Sequence, residues 1–123
     1  MQEADVRATI QTYREALEAR DLARCVACYA EDAVIQFGTG LYRGKEAITE
    51  WHQDRFAANL RIVHFQEIQI EGDKAALDVA VSSDKLKAWK ISRLRATTTI
   101  LFYGGKFREV KFNVRMTSPF EAW

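Results

Sequence analysis

Apolar residues recur at helical spacing over residues 4–19, where Val6, Ile10, Tyr13 and Leu17 share one face. Glu3/Arg7 and Arg14/Glu18 can pair one turn apart on the other face. Asp21 is placed to cap a second, short helix that ends near Tyr29-Ala30. An acidic turn follows, then a short strand from Ala33 to Phe37, which Gly38-Thr39-Gly40 breaks. A third helix is predicted after Gly44, carrying Ala47, Ile48, Trp51 and Phe56.

From residue 61 the period changes to two. Arg61 to Ile70 is one predicted strand, Glu71-Gly72-Asp73-Lys74 its turn, and Ala75 to Ser83 the next strand, with Leu77, Val79 and Val81 alternating. Asp84 to Ile91 reads as a Lys-rich excursion with a helical turn around Trp89. Ser92 to Tyr103 is a long strand, Gly104-Gly105 a two-residue hairpin, and Lys106 to Met116 the return strand. In that last strand Val110, Phe112, Val114 and Met116 share one face, while Glu109, Lys111, Asn113 and Arg115 share the other. Helices first and antiparallel strands later predict an α+β fold. Three N-terminal helices pack in a strongly curved, mostly antiparallel sheet, forming a cone with an internal cavity in a single domain over 1–123.

Composition narrows the picture. The 123 residues are 48% hydrophobic, which suits one core. The net charge of +1 argues against a nucleic-acid partner. The charge is uneven: residues 1–60 hold 7 basic and 10 acidic side chains, residues 61–123 hold 11 and 7. No apolar run approaches the roughly 18 residues of a membrane span. The polar start Met1-Gln2-Glu3-Ala4-Asp5 does not read as a secretion signal, so a cytoplasmic location is expected. Cys25-Val26-Ala27-Cys28 has redox spacing but falls inside a helix, on a face with Leu22 and Tyr29, and reads as two small buried hydrophobes. With His52 and His64 far away there is no zinc-ligand spacing, and neither metal nor cofactor is expected.

The order of elements, together with Tyr13-Arg14-Glu15-Ala16-Leu17, Tyr29-Ala30-Glu31-Asp32-Ala33 and Tyr42-Arg43-Gly44-Lys45-Glu46-Ala47-Ile48, resembles the nuclear transport factor 2-like superfamily. Within it the chain is most similar to the SnoaL-like and ketosteroid-isomerase-like branch, over about residues 4–116. That resemblance implies isomerase, polyketide-cyclase, dehydratase or epoxide-hydrolase chemistry, or a non-catalytic binding or assembly domain. Steroid isomerisation uses an Asp base with an oxyanion hole of a Tyr and a protonated Asp, a worked case among pKa-tuned sites. By resemblance the Tyr falls on Tyr13, the base on or beside Phe37, and the second Asp near Thr98. With both carboxylates gone that reaction is not expected, because enolisation needs a base within reach of its proton. The epoxide-hydrolase pattern of two carboxylates is missing too, since alternation points Asp78 outward. Cyclase and dehydratase branches use an internal His, which this chain could supply.

Candidates follow from the faces. Period-two counting places His64 and Gln66 with Ile62, Ile68 and Ile70, either as pocket groups or as core groups satisfied by hydrogen bonds. A neutral His near pH 7 suits proton transfer, and Tyr13 is either a core tyrosine or a hydroxyl donor to a ligand carbonyl. His64 and Tyr13 are therefore the catalytic candidates for a cofactor-free isomerase, cyclase or dehydratase. Phe37 faces inward by resemblance. Trp51 is either a core anchor or the wall of a cavity for a flat apolar ligand. His52 follows Ile48 by one turn, bordering the inner face half-exposed. Thr98 and Phe102 belong to the inward set Leu94, Ala96, Thr98, Ile100 and Phe102, and Phe112 to the inward set of the last strand. The expected partner is a small, largely apolar molecule. The basic stretch Lys85, Lys87, Lys90, Arg93 and Arg95 is either a solvated surface or an attractor for an anion at the cavity mouth. The outer set Thr97, Thr99, Leu101 and Tyr103 suits a homodimer interface. Without catalysis, the chain would be a ligand-binding or assembly domain acting through that dimer.

Overall fold

The computed structural model describes residues 3–116, with side chains described for 4–114. The C-terminal Phe120-Glu121-Ala122-Trp123 and the side chains of Glu3, Arg115 and Met116 lie outside the described residues. The elements run α1 Glu3–Ala19, α2 Leu22–Ala27, β1 Tyr29–Phe37, β2 Gly40–Arg43, α3 Gly44–Ala57, β3 Arg61–Glu71, β4 Lys74–Ser82, α4 Asp84–Ala88, β5 Leu94–Tyr103 and β6 Lys106–Met116. One six-stranded sheet has the order β2-β1-β6-β5-β4-β3. Only the β1–β6 pair is parallel.

Local chemistry sets the boundaries. Asp21 caps α2, its carboxylate accepting from the Arg24 N–H at 3.2 Å. Ser83 caps α4 in the same way, accepting from the Leu86 N–H at 3.2 Å. Gly104 and Gly105 take φ of +57° and +82°, the left-handed pair that a two-residue hairpin needs. Two expectations are corrected. Tyr29 to Asp32 is not a turn but the start of β1, which pairs with β6 through a register irregularity between Tyr29 and Val34. The segment Gly40–Arg43, expected as loop, is an antiparallel partner of β1.

The helices lie against the concave face of the sheet. Val6 and Ala16 of α1, Cys25 of α2, Ile48 of α3, Ile35 of β1 and Phe107 of β6 are wholly buried in one core. Each large aliphatic or aromatic among them contributes roughly 1.5–3 kcal/mol relative to exposure. The expected inward sets hold: Ala96, Thr98, Ile100 and Phe102 of β5 and Val110 of β6 are buried, while Lys111 and Asn113 are exposed. Curvature has a local cause. The β3–β4 ladder shifts register between Ile62 and His64 and again between Glu67 and Gln69, and the β5–β6 ladder between Leu101 and Phe102. Such bulges bend a strand and increase its twist. Among the described residues no helix is long and apolar enough to cross a membrane.

Candidate functional site

Between the helices and the concave sheet lies a cavity of about 400 Å³, within the range of small-molecule sites. Ile10, Tyr13 and Leu17 of α1 form one wall, and Phe37, Trp51, His52 and Arg55 another. The floor is Leu77 and Val79 of β4, Ala96, Thr98 and Ile100 of β5, and Val110, Phe112 and Val114 of β6. The mouth is rimmed by Leu60, Ile62, Lys85, Leu86 and Trp89.

The aromatic end is built by stacking. Trp51 lies nearly parallel to Phe112, with ring centres 5.4 Å apart and planes 14° apart. Phe37 meets Trp51 at 6.0 Å and Phe112 at 5.9 Å. Arg55, one turn beyond Trp51 on α3, places its guanidinium 4.1 Å from the Trp51 ring centre and 4.9 Å from that of Phe37.

A buried polar chain adjoins the aromatic end, the His52 ring lying 4.9 Å from that of Trp51. His52 Nδ1 is 2.7 Å from the Ile48 carbonyl oxygen, which can only accept, so Nδ1 carries the proton. Nε2 is then an acceptor, and the Tyr13 hydroxyl donates to it at 2.7 Å. The Tyr29 hydroxyl donates in turn to the Tyr13 oxygen at 2.9 Å. Burial dominates the proton affinities. It holds the His52 imidazole down at about 4, against the 6.5 of a free histidine. Burial, reinforced by Tyr29, holds the Tyr13 phenol well above its ordinary value. The imidazole is thus neutral at pH 7, and proton transfer from Tyr13 to His52 is opposed at both ends.

His64 is not in the cavity. Its expected face is corrected by the bulge: Ile62 pairs with Val81 and His64 with Ala80, so Val63 is the extra residue and the alternation inverts beyond it. Ile62 and Phe65 line the cavity instead. His64 is 43% exposed on the outer face, its Nε2 3.6 Å from an Asp78 carboxylate oxygen that also holds Arg95 at 3.3 Å. Gln66 is exposed beside it, opposite Asp78, and leaves the pocket set for the same reason. Asp78 faces outward as alternation predicts. Phe102 is 2% exposed but packs on Phe107 at 5.2 Å, in the core rather than on the cavity wall. His52, expected half-exposed, is 1% exposed. Tyr13, Phe37, Trp51, His52, Thr98 and Phe112 are brought together around the cavity. Thr98 Oγ1 and Trp51 Nε1 are shielded from solvent without a hydrogen-bond partner.

Arg55 was not singled out by sequence, although its position one turn after Trp51 was a usable signal. The cysteines are free and buried. Burial pushes the Cys25 thiol up to about 12 and raises Cys28, which leaves both protonated and unreactive. Among the described residues no group of three or more His, Cys, Asp or Glu could hold a metal ion.

An α+β cone of this topology, with a cavity between helices and concave sheet, can be compared with known proteins. The SnoaL-like domain family matches residues 10–110. This chain belongs to that family. Among solved structures, this SnoaL-like chain is similar to a "putative polyketide cyclase" from Sinorhizobium meliloti, with 21% identity, a TM-score of 0.73, and coverage of 92% of this chain and 100% of that one. It is also similar to a "putative ketosteroid isomerase" from Kribbella flavida, with 17% identity, a TM-score of 0.75, and coverage of 94% and 81%. A third is an uncharacterized cystatin fold protein from Novosphingobium aromaticivorans, with 17% identity, a TM-score of 0.69, and coverage of 85% and 94%. No curated protein matches the chain. At these identities the likeness establishes the cystatin-like fold and leaves the chemistry to the site.

Proposed function

We propose that this SnoaL-like domain binds a small, largely apolar molecule in its internal cavity. The observation that carries this reading is the cavity itself: about 400 Å³ of space walled by Ile10, Leu17, Phe65, Val79 and an aromatic cluster, with few polar groups on its lining. Chemical-shift mapping with naphthalene-2-carboxamide, a two-ring neutral probe, tests it. The backbone amides of Val79, Ala96, Thr98 and Val114 should move most. Dominant shifts on the outer face, at Gln36, Thr99 and Lys111, would place binding elsewhere and refute the reading.

The second reading is cofactor-free isomerase, cyclase or dehydratase chemistry, favoured by the Tyr13–His52 hydrogen bond at the cavity wall. In it the proton-moving role passes from His64 to His52, and Tyr13 meets the ligand carbonyl. The resting polarity argues against it, since the Tyr13 proton is already donated to His52 and a ligand oxygen would have to compete for it. Binding without turnover is therefore the preferred function. Tyr13→Phe separates the two: probe binding should persist, whereas catalysis of any substrate would be lost.

A homodimer through the outer sheet face accompanies this proposal. That face carries a shallow trough bordered by Val34, Gln36, Glu71, Lys74, Leu101, Glu109 and Lys111, where apolar residues and both charge signs suit a self-complementary contact. Sedimentation should show a dimer that Leu101→Asp converts to monomer. A monomeric wild type would refute it.

A further inference from the structure

Arg55 is an unusual residue to find on an apolar cavity wall. It is half-buried on α3, and burial lowers its proton affinity without threatening a charge that guanidinium keeps at all ordinary pH. One of its nitrogens, Nη1, donates to the Trp51 carbonyl at 3.2 Å. Its other neighbours are two aromatic faces, the Tyr42 hydroxyl and the adjacent, exposed Asp54. Among the described residues no carboxylate lies within ion-pair distance of it, although Arg7, Arg14, Arg24 and Arg95 each have one. A half-buried guanidinium with a planar fork and no ion-paired carboxylate, its only nearby anion among the described residues being the exposed Asp54 on the same cavity lining, is matched by a planar anion. The Trp51 and Phe37 rings hold its orientation at the edge of the space a ligand would fill.

We infer that Arg55 reads a carboxylate, and that the ligand of this cavity is an amphipathic acid with an apolar ring or chain body. This rests on the binding reading above and specifies the chemical class for the same site. The apolar body lies against Val79, Ala96 and Phe112, and the carboxylate reaches Arg55 at the aromatic end. Lys85, on the exposed rim, is solvated and plays no such part.

The test pairs two probes of one shape, naphthalene-2-carboxylate and naphthalene-2-carboxamide, titrated at pH 7.5 into wild type, Arg55→Met, Arg55→Lys and Lys85→Ala. Wild type should bind the acid at least about tenfold more tightly than the amide. Arg55→Met should abolish that preference, Arg55→Lys should restore part of it, and Lys85→Ala should leave it intact. Arg55→Lys also serves if the Met variant fails to unfold cooperatively, because loss of the fork alone should reduce the preference. Equal binding of acid and amide by wild type overturns the role of Arg55 while leaving the cavity reading standing. A preference that survives Arg55→Met, or disappears in Lys85→Ala, also overturns it. Binding of neither probe overturns both.

Discussion

Protonation of His52 should govern the acid stability of this domain. In the folded chain its Nδ1–H is bonded to Ile48, its Nε2 accepts from Tyr13, and burial holds its pKa at about 4. In the unfolded chain the imidazole titrates near its ordinary 6.5. A group whose folded pKa is depressed gives stability that is complete above the unfolded value and lost as pH falls toward the folded one. The window is therefore pH 6.5 down to 4. At roughly 1.4 kcal/mol per pH unit, falling from pH 7 to pH 5 should cost about 2 kcal/mol through this group alone. Urea unfolding of wild type and His52→Gln at pH 7, 6 and 5 measures it. Glutamine does not titrate, and its side-chain oxygen can still accept from Tyr13. Carboxylates such as Glu67, held low by Arg7, contribute alike to both proteins and cancel. Wild type should lose about 2 kcal/mol more than the variant between pH 7 and pH 5. Parallel curves, or a His52 ring resonance with a midpoint near 6.5 in the folded protein, would refute the reasoning.

Thr98→Val replaces a hydroxyl that is buried without a partner by an isosteric methyl. It should be neutral or stabilising by up to about 1 kcal/mol in urea titration, and a loss beyond that would mean the hydroxyl is bonded. Ile48→Ala empties a wholly buried position and should cost about 2–5 kcal/mol in the same assay. A thiol reagent should leave native Cys25 and Cys28 unlabelled at pH 8 and label both in denaturant, whereas rapid native labelling would contradict their burial. His64→Ala should leave probe affinity unchanged, because the side chain sits on the outer face beside Asp78.

Much of the fold is legible in the sequence because its strongest signals are local. The alternation from Glu109 to Val114, the Gly104-Gly105 hairpin and the Asp21 cap each depend on a few adjacent residues, and each is where the pattern puts it, whereas Arg108 is an extra residue that turns Phe107 inward. The strand Gly40–Arg43 was hidden because it is four residues long and carries little alternation to read. The site is less legible. Counting by two assigned His64 and Gln66 inward, and a single extra residue at Val63 reverses that assignment. Nothing in the run Ile62-Val63-His64-Phe65 marks a bulge, because the extra residue is defined only by pairing with Ala80 and Val81 of β4, distant in sequence. His52 was judged half-exposed from helix geometry alone, whereas the Tyr13 and Tyr29 hydroxyls that make its burial tolerable come from elements distant in sequence. Arg55 draws no site role from sequence because an arginine on a helix is ordinarily solvated, and only the packed structure sets it over Trp51 and Phe37.

The central claim is that the space between the helices and the concave sheet is a binding site. Ala96 lines its floor, 8% exposed and opposite Val79 on the neighbouring strand, so Ala96→Trp fills the space from a rigid element. Naphthalene-2-carboxamide should bind wild type at one site per chain. It should fail to bind an Ala96→Trp protein that still unfolds cooperatively. No binding by wild type, or equal binding by both, would contradict the account.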